Sequence, residues 1–534
     1  MANEATNIGT YVGEFGAKGN NIDDDSIAIQ AAINYRSENG GGDVLLMSQH
    51  IINKSITIPS NIRLKGVMFT KIKSTNSSYL FGIPADADKV EIKGITFDYE
   101  SLNSNIAILV NENVTNLNLN KLDFKNFIAG SAIQQNVIRL KTGIQGNISH
   151  LTFKNIKCTS NGITGDSGGA GRCIRTDSYG VKDLRNYSLN ISNIHIEDCF
   201  SVDENGNFII EDFDAFHFQH IGVSGTINVS NVTAKNFSKR LMKFEADGVN
   251  VTNVVAESEK YVPWLFAVMS KNINISTINI KGNIEKIVEF VDAKNVNINV
   301  VFVESNFEGI DIYSSLFTFY NSSNINISQV SGKGYGGFLF YGKITENIYI
   351  DKVNLILKAQ ILYIQDRDSP NTTYTDGRIS NINFSEVFIN VPTTVYSAPL
   401  LSLNGLGTVN PISQINFRDF KIVANQFYQY GLVRFKYASE ITFDNLIIEN
   451  KSDLTNPVLI NADESSTVQI RGLKIMGKPT SKEILVSGTG DLLVTRSNIA
   501  NAHLSGIRAK LELEKTPGLV SYLSGATSAQ LTTS

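Results

Sequence analysis

A short phrase recurs along most of this chain: apolar, any, any, apolar, usually preceded by asparagine. It appears as Asn147-Ile148-Ser149-His150-Leu151, Asn190-Ile191-Ser192-Asn193-Ile194 and Asn228-Val229-Ser230-Asn231-Val232, and continues at Asn250, Asn274, Asn297, Asn326, Asn383 and Asn416. From Val229 to Val251 the step is about 22 residues, and from Val251 to Ile275 about 24. A sustained period of this length is the mark of a solenoid, in which each coil buries its apolar face only against its neighbours. The strands are short and rich in Ile and Val, which suits parallel coils packed from all sides.

The repeat also absorbs the length. A chain of 534 residues can form one elongated solenoid where compact folds would need several domains. Within each period a second strand is as regular as the first, as in Trp264-Leu265-Phe266-Ala267-Val268, Lys286-Ile287-Val288-Glu289-Phe290 and Ser315-Leu316-Phe317-Thr318-Phe319. Alternation gives this strand an inward apolar face and an outward variable one. The asparagine column reads as a ladder at a turn, with amides bonded from coil to coil.

The first residues differ. Asp23-Asp24-Asp25-Ser26 precedes Ile29, Ala32 and Ile33 at helical spacing, and Gly40-Gly41-Gly42 precedes Asp43-Val44-Leu45-Leu46. These predict an acidic N-cap, an amphipathic helix, a glycine stop and a strand. The segment from Phe15-Gly16-Ala17-Lys18-Gly19 to Val44-Leu45-Leu46 resembles the N-terminal signature of pectate-lyase-like parallel β-helix proteins, and is most similar to that of bacteriophage tailspike depolymerases. The resemblance implies an all-β, right-handed, single-stranded parallel β-helix with a capping α-helix. It also implies a homotrimer on a phage tail or baseplate that acts on bacterial surface polysaccharide. The expected layout is a cap over residues 1–59, a β-helix over 60–501 with insertions around 157–188 and 198–226, and a C-terminal cap or trimerisation tail over 502–534.

Bulk chemistry narrows the partners. A net charge of -4 and a pI near 6.0 give no global basic field for nucleic acid. No apolar run is long enough to predict a membrane span. The start, Met1-Ala2-Asn3-Glu4-Ala5, lacks a basic segment leading into an apolar stretch, so no secretory leader is expected; the resemblance implies a virion protein acting outside the host cell, or an extracellular one if it is a bacterial enzyme. Cys158, Cys173 and Cys199 form neither a disulfide framework nor a metal-binding spacing, so no cofactor or metal is expected.

The repeat breaks twice. Ile148 to Ile191 is about 43 residues and Ile191 to Val229 about 38, so both steps must carry loops, and loops on a rigid scaffold commonly carry function. Aligning Ile138, Ile174, Phe216, Met242, Phe266, Val288 and Phe317 as inward residues stacks the outward positions into columns. One reads Arg139, Arg175, His217, Lys243, Ala267, Glu289, Thr318, then Phe340, Tyr363 and Ser402. A second reads Asn136, Arg172, Asp214, Arg240, Trp264, Lys286. A third reads Lys141, Asp177, Gln219, Glu245, Met269. Charge and the chain's only tryptophan thus gather beside both insertions.

Hydrolysis of a glycosidic bond needs an acid and a second carboxylate. Asp177 and Glu245 lie two rungs apart, roughly 9–10 Å between backbones, with Asp214 between them. His217 and Lys243 complete the catalytic candidates, as orienting groups or, for β-elimination on a uronic acid, as bases. Arg139, Arg172, Arg175 and Arg240 are candidates to clamp an acidic sugar. Trp264 offers a flat apolar face for a sugar ring, and Glu289 is placed with the binding residues. Endo-hydrolysis is set slightly ahead of elimination, with a non-catalytic glycan-binding fibre or adhesin as the third reading. The resemblance does not extend to the polygalacturonase motifs: Asp212-Phe213-Asp214, His217 and Arg240-Leu241-Met242-Lys243 match them only loosely.

Overall fold

A computed structural model describes residues 9–534 except 75–77, 100–105, 130–133, 160–169, 178–186, 220–224, 310–313, 366, 370–371, 374–377, 393–398, 406–411, 425–432, 451–457, 464–467, 473, 478–483, 488–490, 498–500, 506–507, 514–519, 524–528 and 533–534. The chain divides into two compact units, one ending at Ile275 and the other beginning at Ser276. Both are built from parallel coils of the right-handed β-helix, with strands paired rung upon rung in register. Much of insertion 157–188 lies outside the described residues, as does the end of the second.

In the first unit the asparagine phrase makes one continuous face. Asn147 pairs with Asn190, Asn190 with Asn228, and Asn228 with Asn250. Each side-chain amide donates to the carbonyl of the previous coil: Asn190 to Asn147 at 3.1 Å, Asn228 to Asn190 at 2.9 Å, Asn250 to Asn228 at 3.0 Å, Asn274 to Asn250 at 2.9 Å. The amide ladder is there, but this column is not at the turn. The turn lies three residues on, where Asn193, Asn231 and Asn253 take φ of 55°, 53° and 59°. They form a second ladder, Asn231 to Asn193 at 3.2 Å and Asn253 to Asn231 at 3.0 Å. Asparagine suits the bend because it tolerates left-handed backbone better than other residues bearing a Cβ. The second unit repeats the device with Asn295, Asn324, Asn347 and Asn381, all at positive φ.

Inside the coils, aromatic rings stack in the same register. Phe97, Phe124 and Phe153 lie 4.9 and 5.0 Å apart in the first unit; Phe290, Phe319 and Phe340 lie 4.8 and 4.4 Å apart in the second. Phe340 is therefore inward and fully buried. Thr318 pairs with Leu339, which pairs with Tyr363, so the outward column runs through Leu339 and the sequence alignment slips by one residue there. In Phe338-Leu339-Phe340 both faces are apolar, and alternation carries no information about register. Cys158, Cys173 and Cys199 are buried and unbridged.

The helix spans Ser26–Glu38 and buries Ile29, Ala32 and Ile33. Asp25 stands at its N-cap without a side-chain capping bond, contrary to expectation. Its carboxylate instead accepts the amides of Lys18 and Gly19 at 2.7 and 3.0 Å and pairs with buried His50 at 2.7 Å. The Asp24 carboxylate takes the Ser26 amide at 3.0 Å. The acidic run thus ties the entering chain to the first coil, and only part of it serves the helix. Gly41 has φ 84°, and a Cβ there would sit 2.5 Å from the Asn61 carbonyl oxygen, so the stop requires glycine.

At the other end, parallel pairing continues through the strands Asn501–Ser505 and Arg508–Leu513. Antiparallel partners Ala529–Thr532 and Val520–Leu523 then cover those two strands.

Candidate functional site

Three rungs of the first unit carry the charged columns: strands Ala170–Thr176, Phe213–Phe218 and Arg240–Phe244. Their inward residues Ile174, Phe216 and Met242 are fully buried and pair with one another, and Met242 pairs with Phe266. That apolar register fixes the rest. Arg139 faces Arg175, Arg175 faces His217, and His217 faces Lys243. Asn136 faces Arg172, Arg172 faces Asp214, and Asp214 faces Arg240.

Arg172, only 2 % exposed, is the hub. One terminal nitrogen donates to the carbonyls of Gly171 and Asp212 at 3.0 and 3.1 Å, the other to the Asp212 carboxylate at 2.8 Å. Its Nε donates to His217 Nδ1 at 3.0 Å. His217 Nδ1 is therefore an acceptor, so the hydrogen-bond network assigns the proton to Nε2. Nε2 then donates to Glu245 Oε2 at 3.2 Å. Burial is the main force holding the His217 pKa below its ordinary value. Glu245 and Asp214 pull the other way, and Arg172 and Lys243 add to the depression. A neutral imidazole is what this chain of donors requires.

Glu245 and Asp212 are held as anions. Burial raises Glu245, but the hydrogen bond from His217, and after it Lys243 at 2.5 Å, lower it to about 2. Burial likewise raises Asp212, and Arg172, Arg240 and Lys239 together overcome it and hold the carboxyl far below the usual range. Asp212 receives Arg240 at 2.6 Å and Lys239 at 3.3 Å on Oδ1. Asp214 is fully buried, accepts Arg240 Nε on Oδ1, and keeps Oδ2 3.4 Å from Arg172 and 3.7 Å from His217. Asp177 is also fully buried. Its Oδ2 accepts Arg139 Nε at 2.6 Å and lies 3.6 Å from Arg175 Nε, while Oδ1 accepts no hydrogen bond. Arg175 reaches on to Gln219 at 2.6 Å. Burial, and after it the charge of Asp177, pushes the Tyr187 hydroxyl well above its ordinary value.

The sequence candidates thus fall into two groups. On adjacent, register-paired rungs of the first unit stand two bonded networks, Arg139, Asp177 and Arg175 in one and Arg172, Asp214, His217, Arg240, Lys243 and Glu245 in the other, and the Trp264 ring lies 6.0 Å from the Arg240 guanidinium carbon. Glu289 belongs to the second unit, where it pairs with Thr318 and lies 4.0 Å from Lys286. Asp212 and Lys239 are essential to the cluster, yet the columns omit them because both precede their strands. The clue was the local run Glu211-Asp212 immediately before Phe213. Among the described residues no three His, Cys, Asp or Glu side chains are arranged to hold a metal ion, and no helix is long and apolar enough to cross a membrane.

Chemically, the cluster offers six cations (Arg139, Arg172, Arg175, Lys239, Arg240, Lys243) against four anions (Asp177, Asp212, Asp214, Glu245) around a neutral imidazole. The excess positive charge is a feature an anionic ligand can use. The partly exposed members are Arg139, Lys239, Lys243, Glu245, Asp212 and Arg240.

No protein-family model and no curated protein matches this chain. Solved structures similar to it in fold include the following two. The surface protein and adhesin PfbA of Streptococcus pneumoniae is 14 % identical, over 67 % of this chain and 99 % of that one, with a TM-score of 0.48. The tailspike protein of Escherichia coli bacteriophage HK620, solved in complex with a pentasaccharide, is 12 % identical over 94 % of this chain and 80 % of that one, with a TM-score of 0.40.

Proposed function

We propose that this chain is a tailspike-type depolymerase that grips an acidic bacterial surface polysaccharide on the charged face of its first unit and cleaves it by endo-hydrolysis. The observation that carries the reading is the concentration of paired Arg, Lys, Asp and Glu side chains, with a surplus of two positive charges, on adjacent rungs in a protein whose net charge is -4. Each sugar carboxylate offsets one charge of that surplus, and guanidinium groups bind it bidentately.

Glu245 is the carboxylate assigned to chemistry. It is partly exposed and ionised, as a base or nucleophile must be. Asp177 and Asp214 are closed in by arginines, so in this reading they orient the clamp, and either of them would have to leave its arginines and take up a proton from solvent before it could serve as the general acid. His217 is 4 % exposed with both nitrogens engaged, which leaves it a positioning residue, and Lys243, the other candidate base for elimination, is paired with Glu245 at 2.5 Å. Homotrimeric assembly on a phage tail, acting outside the host cell, completes the proposal and rests on the N-terminal sequence resemblance.

The second reading is a non-catalytic glycan-binding fibre. It is favoured by one observation: the carboxylates of the cluster are all engaged by cations or by His217. Incubation with acidic capsular polysaccharide separates the readings. New reducing ends without the ultraviolet absorbance of an unsaturated uronate support hydrolysis. Reducing ends with that absorbance mean elimination. Binding without either overturns the enzymatic reading.

A further inference from the structure

The amide ladder of the first unit has a missing rung. From Asn274 to Asn147 every coil donates its amide to the coil before it. Asn147 pairs in register with Asn118, but no hydrogen bond joins their side chains. Asn118 instead donates to Glu91 at 2.8 Å. The Asn147 amide nitrogen and the Asn118 side-chain oxygen are therefore not bonded to each other, although their strands pair in register as at the intact rungs. A hydroxyl between them could accept from one and donate to the other at ordinary lengths of about 2.7–3.0 Å.

A groove of about 360 Å³ opens at this place, lined by Asn116, Asn118, Gln145, Asn147, Ser188 and Asn190 with backbone at Gly146. Gly146 keeps the floor bare: a Cβ there would lie 2.2 Å from the Leu117 carbonyl oxygen. Apart from Leu117, the lining side chains are amides and a hydroxyl, without a charge among them. A primary amide presents a donor and an acceptor in one plane, which matches the paired hydroxyls of a sugar ring. An anionic ligand would find no counter-charge in this lining.

We infer that the groove at the break between Asn118 and Asn147 is a binding site for neutral saccharide, separate from the charged face. The neutral units of a mixed polysaccharide, or a neutral glycan, fill the missing rung with a hydroxyl. The site has no aromatic platform in its lining, so affinity is low, on the order of millimolar.

The test is saturation-transfer NMR on the full chain with isomaltotriose, cellotriose and N,N′-diacetylchitobiose. At least one should receive saturation. Asn147→Ala should weaken that binding about two- to ten-fold, the worth of a single hydrogen bond. Asn228→Ala breaks the same ladder outside the groove and should leave the signal unchanged, which separates ligand contact from a general loosening of the coils. Glu245→Gln should also leave it unchanged, so that failure of the depolymerase reading and failure of this one are told apart. Absence of signal with all three sugars overturns the proposal. So does equal loss in Asn147→Ala and Asn228→Ala, or displacement of the neutral sugar by an acidic oligosaccharide that binds the charged face.

Discussion

The same kind of rung is filled in opposite ways in the two units. In the first, the outward column Arg139, Arg175, His217, Lys243 is charged, and Arg175 and His217 are nearly inaccessible. In the second, the corresponding kind of column reads Thr318, Leu339, Tyr363, Ser402, and Thr318, Leu339 and Ser402 are just as buried. Thr318 settles its hydroxyl on Ser315 at 3.1 Å. The fold therefore does not demand charge at these positions, since small and apolar side chains satisfy it. Buried ion pairs are seldom the most stable choice for a site that neutral residues can fill. The first unit carries a costly arrangement where the second carries a cheap one, and that contrast is the physical argument for a working surface.

The largest expected break of this contrast is Arg172→Ala. It would leave Asp212 short of one of its three cations and strip His217 Nδ1 of its donor. A destabilisation of about 3–5 kcal/mol is expected from removing one partner of a buried charge network, read as a shift in denaturant midpoint. Thr318→Val in the second unit should cost about 1 kcal/mol or less. Equal effects would show that the two columns are energetically alike.

Acid should separate the two faces next. The folded His217 binds its proton at a lower pH than the ordinary 6.5, so the unfolded chain takes up a proton first and stability declines as pH falls below about 6.5. Glu245 falls from an ordinary 4.5 to about 2. Its contribution is therefore present above about pH 4.5 and lost between there and about 2, and Asp212 acts in the same direction. Thermal melts across pH should show both limbs. His217→Gln should remove the upper one and keep the lower.

Glu245→Gln should abolish cleavage while lowering stability by about 1–2 kcal/mol, because the amide still accepts from Lys243 or His217. Retained activity in that variant would move the chemistry to another carboxylate. An effect as small as that of Thr318→Val is expected from Asn228→Ala, about 1 kcal/mol for its two solvent-facing ladder bonds, visible as local loss of hydrogen-exchange protection in the neighbouring coils.

Much of this was legible before any coordinates. Ile174, Phe216 and Met242 are each followed by a charged or polar residue, Arg175, His217 and Lys243, so the register and the charged columns could be read by eye. The slip at Phe340 came where both faces are apolar. Asp212 escaped because it sits in a bend, where period two does not apply. Nor could spacing say that Asp177 and Asp214 are sealed in by Arg139, Arg172 and Arg240, since the direction taken by a long side chain is not encoded in rung position.

The ladder bonds span very different lengths of chain. Asn250 reaches Asn228 over 22 residues and Asn190 reaches Asn147 over 43, with almost the same hydrogen-bond length. Rung spacing is thus uncoupled from the amount of chain between rungs, and doubling a flexible connection costs only about 0.6 kcal/mol in closure entropy. Such a stack works as a chassis: recognition loops can be lengthened, shortened or exchanged at its edge while the coils that carry them keep their register.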